Sequence, residues 1–179
     1  MQPHKLVRCL ESGGVIVQDS SHMAVQSLAE LKSICPAGVR LLGLDLGEKT
    51  IGLALSDVLL SVATPLTTLK RRKFAENARE LLDLCAEHGV GGLVVGLPLN
   101  MDGSEGASAQ SARAFGRNLA TKTALPIVFW DERLSTAAVT RTLIEADASR
   151  RRRSEVVDKM AAAYILQGAL DRLKMMAES

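Results

Sequence analysis

Between Arg40 and Ser56 the chain carries two apolar runs with a three-residue turn between them. Arg40 to Asp45 and Thr50 to Ser56 read as strands, and Gly47-Glu48-Lys49 is too short a connection for anything but an antiparallel hairpin. A parallel pair would need a crossover of a dozen residues or more. Ala63 to Leu69 reads as a third strand. After it the hydrophobic period changes. Arg72 to His88 places Phe74, Ala78, Leu81, Leu82 and Cys85 at helical spacing, and Gly89 stops the helix. Leu93 to Gly96 is a short buried strand, and Ser104 is placed to cap a helix running to about Lys122, with Ala112, Phe115 and Leu119 inside. Pro126 to Trp130 is a further strand; Ser135 is placed to cap a helix with Val139 and Leu143 inside, and Ser154 a last helix to about Met175. Hairpins first and strand–helix–strand crossovers later predict an α/β fold, a five-stranded mixed sheet flanked by helices.

Residues 1–38 read as an N-terminal extension, partly disordered with a short helix, and residues 39–179 as the main domain. Within the extension Gly14 to Val17 is a candidate short strand. Val25, Leu28, Leu31 and Lys32 suggest an amphipathic helix that ends before Pro36. Met23 opens that helix and is a candidate native start.

The 179 residues, 47% of them hydrophobic, suit one sizeable core. Cys9, Cys35 and Cys85 form no paired or zinc-ligand spacing, which argues against a disulfide scaffold and against structural zinc. The apolar stretches are strand-sized and the N-terminus lacks a signal-peptide pattern, so the expectation is a cytoplasmic protein with no membrane partner. His4, His22 and His88 lie in the extension or at a helix end and offer no Ser-His-Asp arrangement.

Three acidic positions interrupt the apolar pattern. Asp45 shares a strand face with Leu41 and Gly43. An ionised carboxylate beside a core costs several kcal/mol, as an order of magnitude, unless it is partnered or binds a cation. It either accepts hydrogen bonds from the Gly47-Glu48 turn or ligates a metal. Asp131 and Glu132 follow a strand at the end where parallel sheets bind ligands. Strand geometry points them to opposite faces, so one of them should face a site; alternatively they pair with Arg133 or favour the next helix dipole. Asp158 is expected in the first turn of the last helix, where an acid suits the dipole, yet it stacks with Ala161, Ala162 and Ile165 on the buried stripe. Carboxylates converging from separate elements suit Mg²⁺ or Mn²⁺, and two such ions roughly 4 Å apart serve phosphodiester hydrolysis.

The remaining signals concern polyanions. The net charge is only +2, so distribution matters more than sum. Lys70 to Lys73 and Arg150 to Arg153 are basic runs that serve either as solvated surface or as phosphate contacts. Gly96 to Ser104, with Asn100 inside it, is a polar loop leading to a helix N-terminus, a place where backbone N–H groups can meet anions. It is equally an ordinary strand-to-helix connection. Phe129 and Trp130 are the two aromatics near these motifs, so base stacking is not the expected main recognition mode.

Four segments, in this order, together resemble the YqgF/RuvX family. They are Gly43 to Asp57 (GLDLGEKTIGLALSD), Val95-Gly96-Leu97-Pro98 with Asp102-Gly103-Ser104, Trp130 to Thr136 (WDERLST), and Val157 to Ala162 (VDKMAA). The family is described as pre-16S ribosomal RNA nucleases and as Holliday-junction resolvases. The resemblance implies a ribonuclease H-like fold and a role in maturation of the 5′ end of pre-16S rRNA. It also implies catalytic and metal-binding roles for Asp45, Glu132 and Asp158. Lys49, Asn100, Arg133, Arg151 and Arg152 are the expected substrate contacts, pre-rRNA being favoured over a DNA junction, in a monomer or homodimer. Thr50 departs from the Arg that many members carry, which leaves Lys49 as the basic residue of the first turn. Two other readings stand beside this one. The Asp-x-Gly turn also resembles the phosphate-binding hairpin of actin-like ATPases and sugar kinases, which need two such domains. A nucleic-acid-binding processing factor without catalysis is the other.

Overall fold

In the computed structural model, residues 27–134 and 150–177 are described, with side chains in the last helix from Asp158 onward. The elements are α1 (Leu28–Ile34), β1 (Arg40–Leu46), β2 (Thr50–Ser56), β3 (Ala63–Lys70), α2 (Phe74–His88), β4 (Val90–Leu97), α3 (Ala107–Ala120), β5 (Ile127–Asp131), a 3₁₀ turn (Glu132–Leu134) and α4 (Arg150–Met175). The sheet has five strands in the order β3-β2-β1-β4-β5. β1–β2 and β2–β3 pair antiparallel, while β1–β4 and β4–β5 pair parallel. The mixed sheet expected from the change of period is therefore present.

Strand alternation sorts the apolar residues into two cores. Leu42, Leu44, Ile51, Leu53, Leu93 and Val95 face α2 and α3 and pack with Leu81, Ala112, Phe115 and Leu119. Leu41, Ala54, Val94, Val128 and Trp130 face the other way, against Ala162, Ile165, Leu166 and Ala169 of α4 and Leu28 and Leu31 of α1. The capping box of α1, with Ser27 and Glu30 bonding reciprocally, sets the entry of that short helix. Leu31 is fully buried, so α1 belongs to the same packed layer as α4.

Three element boundaries differ from the sequence reading in informative ways, and a fourth agrees with it. α3 begins at Ala107 with Gly106 as N-cap, not at Ser104. The Ser104 hydroxyl is engaged inside the preceding loop by Asn100 and Asp102, so it cannot cap. α4 begins at Arg150 and not after Ser154, so Asp158 lies in its third turn and its first turn carries no acid. The arginine run is a good helix former and propagates the helix backward. β4 extends to Val90–Leu97, because Val90 and Gly92 pair with Arg40 and Leu41 of β1 and lengthen the ladder ahead of Leu93. α2 ends at Gly89, which takes the left-handed conformation with φ 64° as expected of a C-cap glycine. The readings for residues 1–26, including the Gly14 to Val17 strand and the Met23 start, lie outside the described residues, as does the Ser135-capped helix with Val139 and Leu143.

The β2–β3 loop supplies a pH-dependent contribution. Asp57 accepts hydrogen bonds from the Ser61 and Val62 backbone N–H groups and from the Ser61 hydroxyl. The Val62 N–H, followed by Ser61, lowers the Asp57 carboxyl to about 2. A carboxylate with a depressed folded-state pKa stabilises above its unfolded value, and that contribution is lost as pH falls through the folded value. Urea unfolding of wild type and Asp57→Asn should differ most above pH about 4 and converge toward pH about 2. A difference that stays constant over that range would show that the charge is not what the loop uses.

Candidate active site

Asp45 stands at the end of β1, where the strand leaves the core, and is 6% exposed. Its cross-strand neighbour is Gly52. The absence of a side chain at Gly52 has a direct consequence. A Cβ built there would lie 2.1 Å from the Asp158 carbonyl oxygen and 2.4 Å from its carbon. The backbone of α4 therefore passes against β2 at the position opposite Asp45. Gly43 acts similarly one step along the sheet, where a Cβ would meet Leu166 Cβ at 2.7 Å. A glycine inside a strand marks such a close approach.

Asp158 is held by its side chain too. The Thr50 hydroxyl donates to Asp158 Oδ2 at 2.5 Å. Thr50 opens β2 two residues before Gly52 and so lies on the same sheet face.

Glu132 arrives from the other side of β1. Its Oε1 is 2.7 Å from the point where a Cβ on Gly96 would stand, and the carbonyl oxygen of Leu44, the residue before Asp45, is 3.3 Å from that point. Gly96, near the end of β4, thus leaves the space that the Glu132 carboxylate reaches. Asp131 goes elsewhere. Its carboxylate is paired with the Arg133 guanidinium at 2.6 Å, and the Arg133 hydrogen bonds hold the Asp131 carboxyl below the usual carboxylate range. Of the two adjacent acids, Glu132 is the one on the Asp45 side.

Of the other expected contacts, Arg133 and Asn100 meet at one loop. Arg133 Nη1 donates to the backbone carbonyls of Asn100 and Met101. The Asn100 amide donates to the Ser104 hydroxyl. Both residues thus shape the loop between β4 and α3, a task that residue type and spacing did not reveal. Lys49 is exposed on the β1–β2 turn. Arg71, from the basic run after β3, donates to the Gly47 carbonyl at 2.6 Å and to the Ser111 hydroxyl at 2.9 Å. It ties the turn beside Asp45 to α3, so this member of the run is a structural clamp. Arg151 and Arg152 fall on α4 upstream of Asp158, and their side chains lie outside those described.

The donor set fits a hard divalent cation in kind, being three carboxylates from β1, the 3₁₀ turn and α4. Among the described residues, however, no group of three or more His, Cys, Asp or Glu stands together at metal-holding spacing. The fold brings Asp158 and Glu132 to either side of Asp45 without gathering the three into one cluster. Thr50, Gly52 and Gly96 lie inside the quoted motifs, but the sequence reading gave none of them a part in placing the acids. The glycines carried a usable signal, an interruption of an apolar strand near an acid. Thr50 carried none, because its partner is 108 residues away.

Comparison with known proteins follows the same outline. The sequence model of the family described as RuvX, Holliday junction resolvase, matches residues 39–172. A protein of Paramagnetospirillum magneticum named "Putative pre-16S rRNA nuclease" is 61% identical over 149 residues, 83% of this chain and 96% of the relative. One of the same name from Roseobacter denitrificans is 58% identical over 155 residues, 86% of this chain and 95% of the relative. Among solved structures, Thermus thermophilus RuvC in complex with a Holliday junction substrate aligns with a TM-score of 0.50 and 16% identity, covering 76% of this chain and 96% of that one. That likeness shows the fold, which is ribonuclease H-like.

Proposed function

The chain belongs to the RuvX family, and on that premise we propose that it is a divalent-metal-dependent nuclease that matures the 5′ end of pre-16S rRNA. The observation that carries the proposal is the placement of three carboxylates, from separate elements, around the buried end of β1. Two of them reach that place only because glycines stand where side chains would block them.

In this reading Asp45, Glu132 and Asp158 hold Mg²⁺ or Mn²⁺. An ion held there would supply water activation and charge stabilisation for phosphodiester hydrolysis. Asp45 is fixed by the sheet and gives the site its rigid reference point. Glu132 closes the site from the β4 side, and the Asp131–Arg133 pair fixes the turn that carries it. Asn100 and Arg133 hold the loop before α3, which we assign to the substrate backbone together with exposed Lys49. Arg151 and Arg152 we assign to phosphates flanking the scissile bond. A cytoplasmic protein, monomeric or homodimeric, fits this role. Among the described residues no helix is long and apolar enough to cross a membrane.

The family description favours a second substrate, a four-way DNA junction. Junction cleavage calls for a two-fold dimer that cuts symmetric strands. The discriminating experiment offers both substrates to the full chain with Mg²⁺, Mn²⁺ or a chelator, and measures the solution mass. We expect cleavage of a 5′-extended 16S precursor, dependent on added metal, at a rate well above that on the junction. Preferential junction cleavage by a dimer would reverse the substrate. Binding of precursor with no cleavage under any metal would make the protein a processing factor without catalysis.

A further inference from the structure

The inference rests on Asp158 being a ligand of the proposed metal site, and concerns what aims it. Two separate contacts act on this residue. Its main chain is set by close packing on Gly52, where the carbonyl oxygen occupies the place of a Cβ. Its carboxylate is then oriented by the Thr50 hydroxyl, through a hydrogen bond of 2.5 Å in a half-buried setting. Thr50 is a β-branched residue at the start of a strand, so its hydroxyl has few rotamers and points in a defined direction. It also donates without adding a positive charge, which leaves the carboxylate's charge available to a cation.

We infer that Thr50 is a positioning residue that orients the Asp158 carboxylate for metal binding. Carboxylate ligands are themselves hydrogen-bonded by outer partners, and loss of such a partner typically costs 10–100-fold in metal affinity or activity.

The test is Mn²⁺ binding by titration calorimetry on the full chain, with cleavage kinetics alongside. Thr50→Val keeps the branching and removes the donor, and Thr50→Ser keeps the donor. We expect Thr50→Val to bind Mn²⁺ about 10–100-fold more weakly, with KM for the nucleic acid unchanged, and Thr50→Ser to bind close to wild type. Thermal melts of each variant, read beside the titrations, separate a local effect from unfolding. Equal Mn²⁺ affinity in Thr50→Val and wild type would overturn the inference, and so would equal weakening in both variants. Asp45→Asn separates this from the underlying reading. If Asp45→Asn loses Mn²⁺ binding while Thr50→Val keeps it, the positioning role alone falls. If Asp45→Asn binds as wild type does, the metal site and the positioning role fall together.

Discussion

Asp45→Asn is expected to reduce metal-dependent cleavage by a factor on the order of 10³ while leaving the melting temperature unchanged or higher. The first half follows from charge. Stabilisation of developing charge by a bound metal is worth several kcal/mol, and about 4 kcal/mol corresponds to roughly a thousandfold in rate. A neutral amide cannot replace the carboxylate as a strong cation ligand. The second half follows from burial. Asp45 is 6% exposed on the sheet face that carries Leu41 and Gly43. An ionised group in such a place is expensive to keep, and functional sites commonly retain such groups at a cost in stability. The measurement is single-turnover cleavage with a thermal melt on the same preparation. Full activity in the variant would remove Asp45 from the chemistry. A large drop in melting temperature would instead make it a structural residue.

The second large effect is expected where no functional group is altered. Gly52→Ala places a Cβ 2.1 Å from the Asp158 carbonyl oxygen. That oxygen belongs to helix backbone, so relief requires α4 to move as a body, not one side chain to rotate. Overpacking of this kind typically costs about 1–3 kcal/mol, or roughly 2–12 °C in melting temperature for a chain of this size. Activity should fall as well, because a displaced α4 carries Asp158 away from Asp45 and from Thr50. Gly106→Ala is the control. Its Cβ would meet nothing nearer than the Asn100 side chain at 3.6 Å, so its melting temperature should stay close to wild type. A Gly52→Ala protein with wild-type stability and activity would show that the approach of α4 to β2 is not a constraint.

Much of this was legible from residue pattern. The hairpin at Gly47–Lys49, the switch from period two to helical period after β3, and the burial of alternating leucines are local properties, and each recurs in the observed strands and helices. Strand alternation was expected to part Asp131 from Glu132, but β5 ends at Asp131 and Glu132 opens the 3₁₀ turn, so the turn and not the strand sets the direction of Glu132. Cap assignment was harder. Ser104 has the right chemistry and position to start a helix, but a neighbouring Asn100 and Asp102 compete for its hydroxyl. The start of α4 was misplaced for a related reason. A serine that could cap does not end a helix when helix formers precede it, and Asp158 accordingly lost its first-turn explanation.

Local order in the chain therefore sufficed for the strand sequence, the two sheet faces and the recognition of the acids as anomalies in the pattern, because those depend on neighbours a few residues apart. The resemblance of four short motifs to a known family added their grouping. How α4 lies on the sheet was decided only in three dimensions. That placement depends on side chains that are missing, at Gly43 and Gly52, and on a hydroxyl at Thr50 that meets its partner 108 residues later. Periodicity records what a residue buries, whereas close approach records what two distant segments jointly leave empty. Asp45 was visible as an anomaly in a strand; its neighbourhood was visible only after the chain had folded.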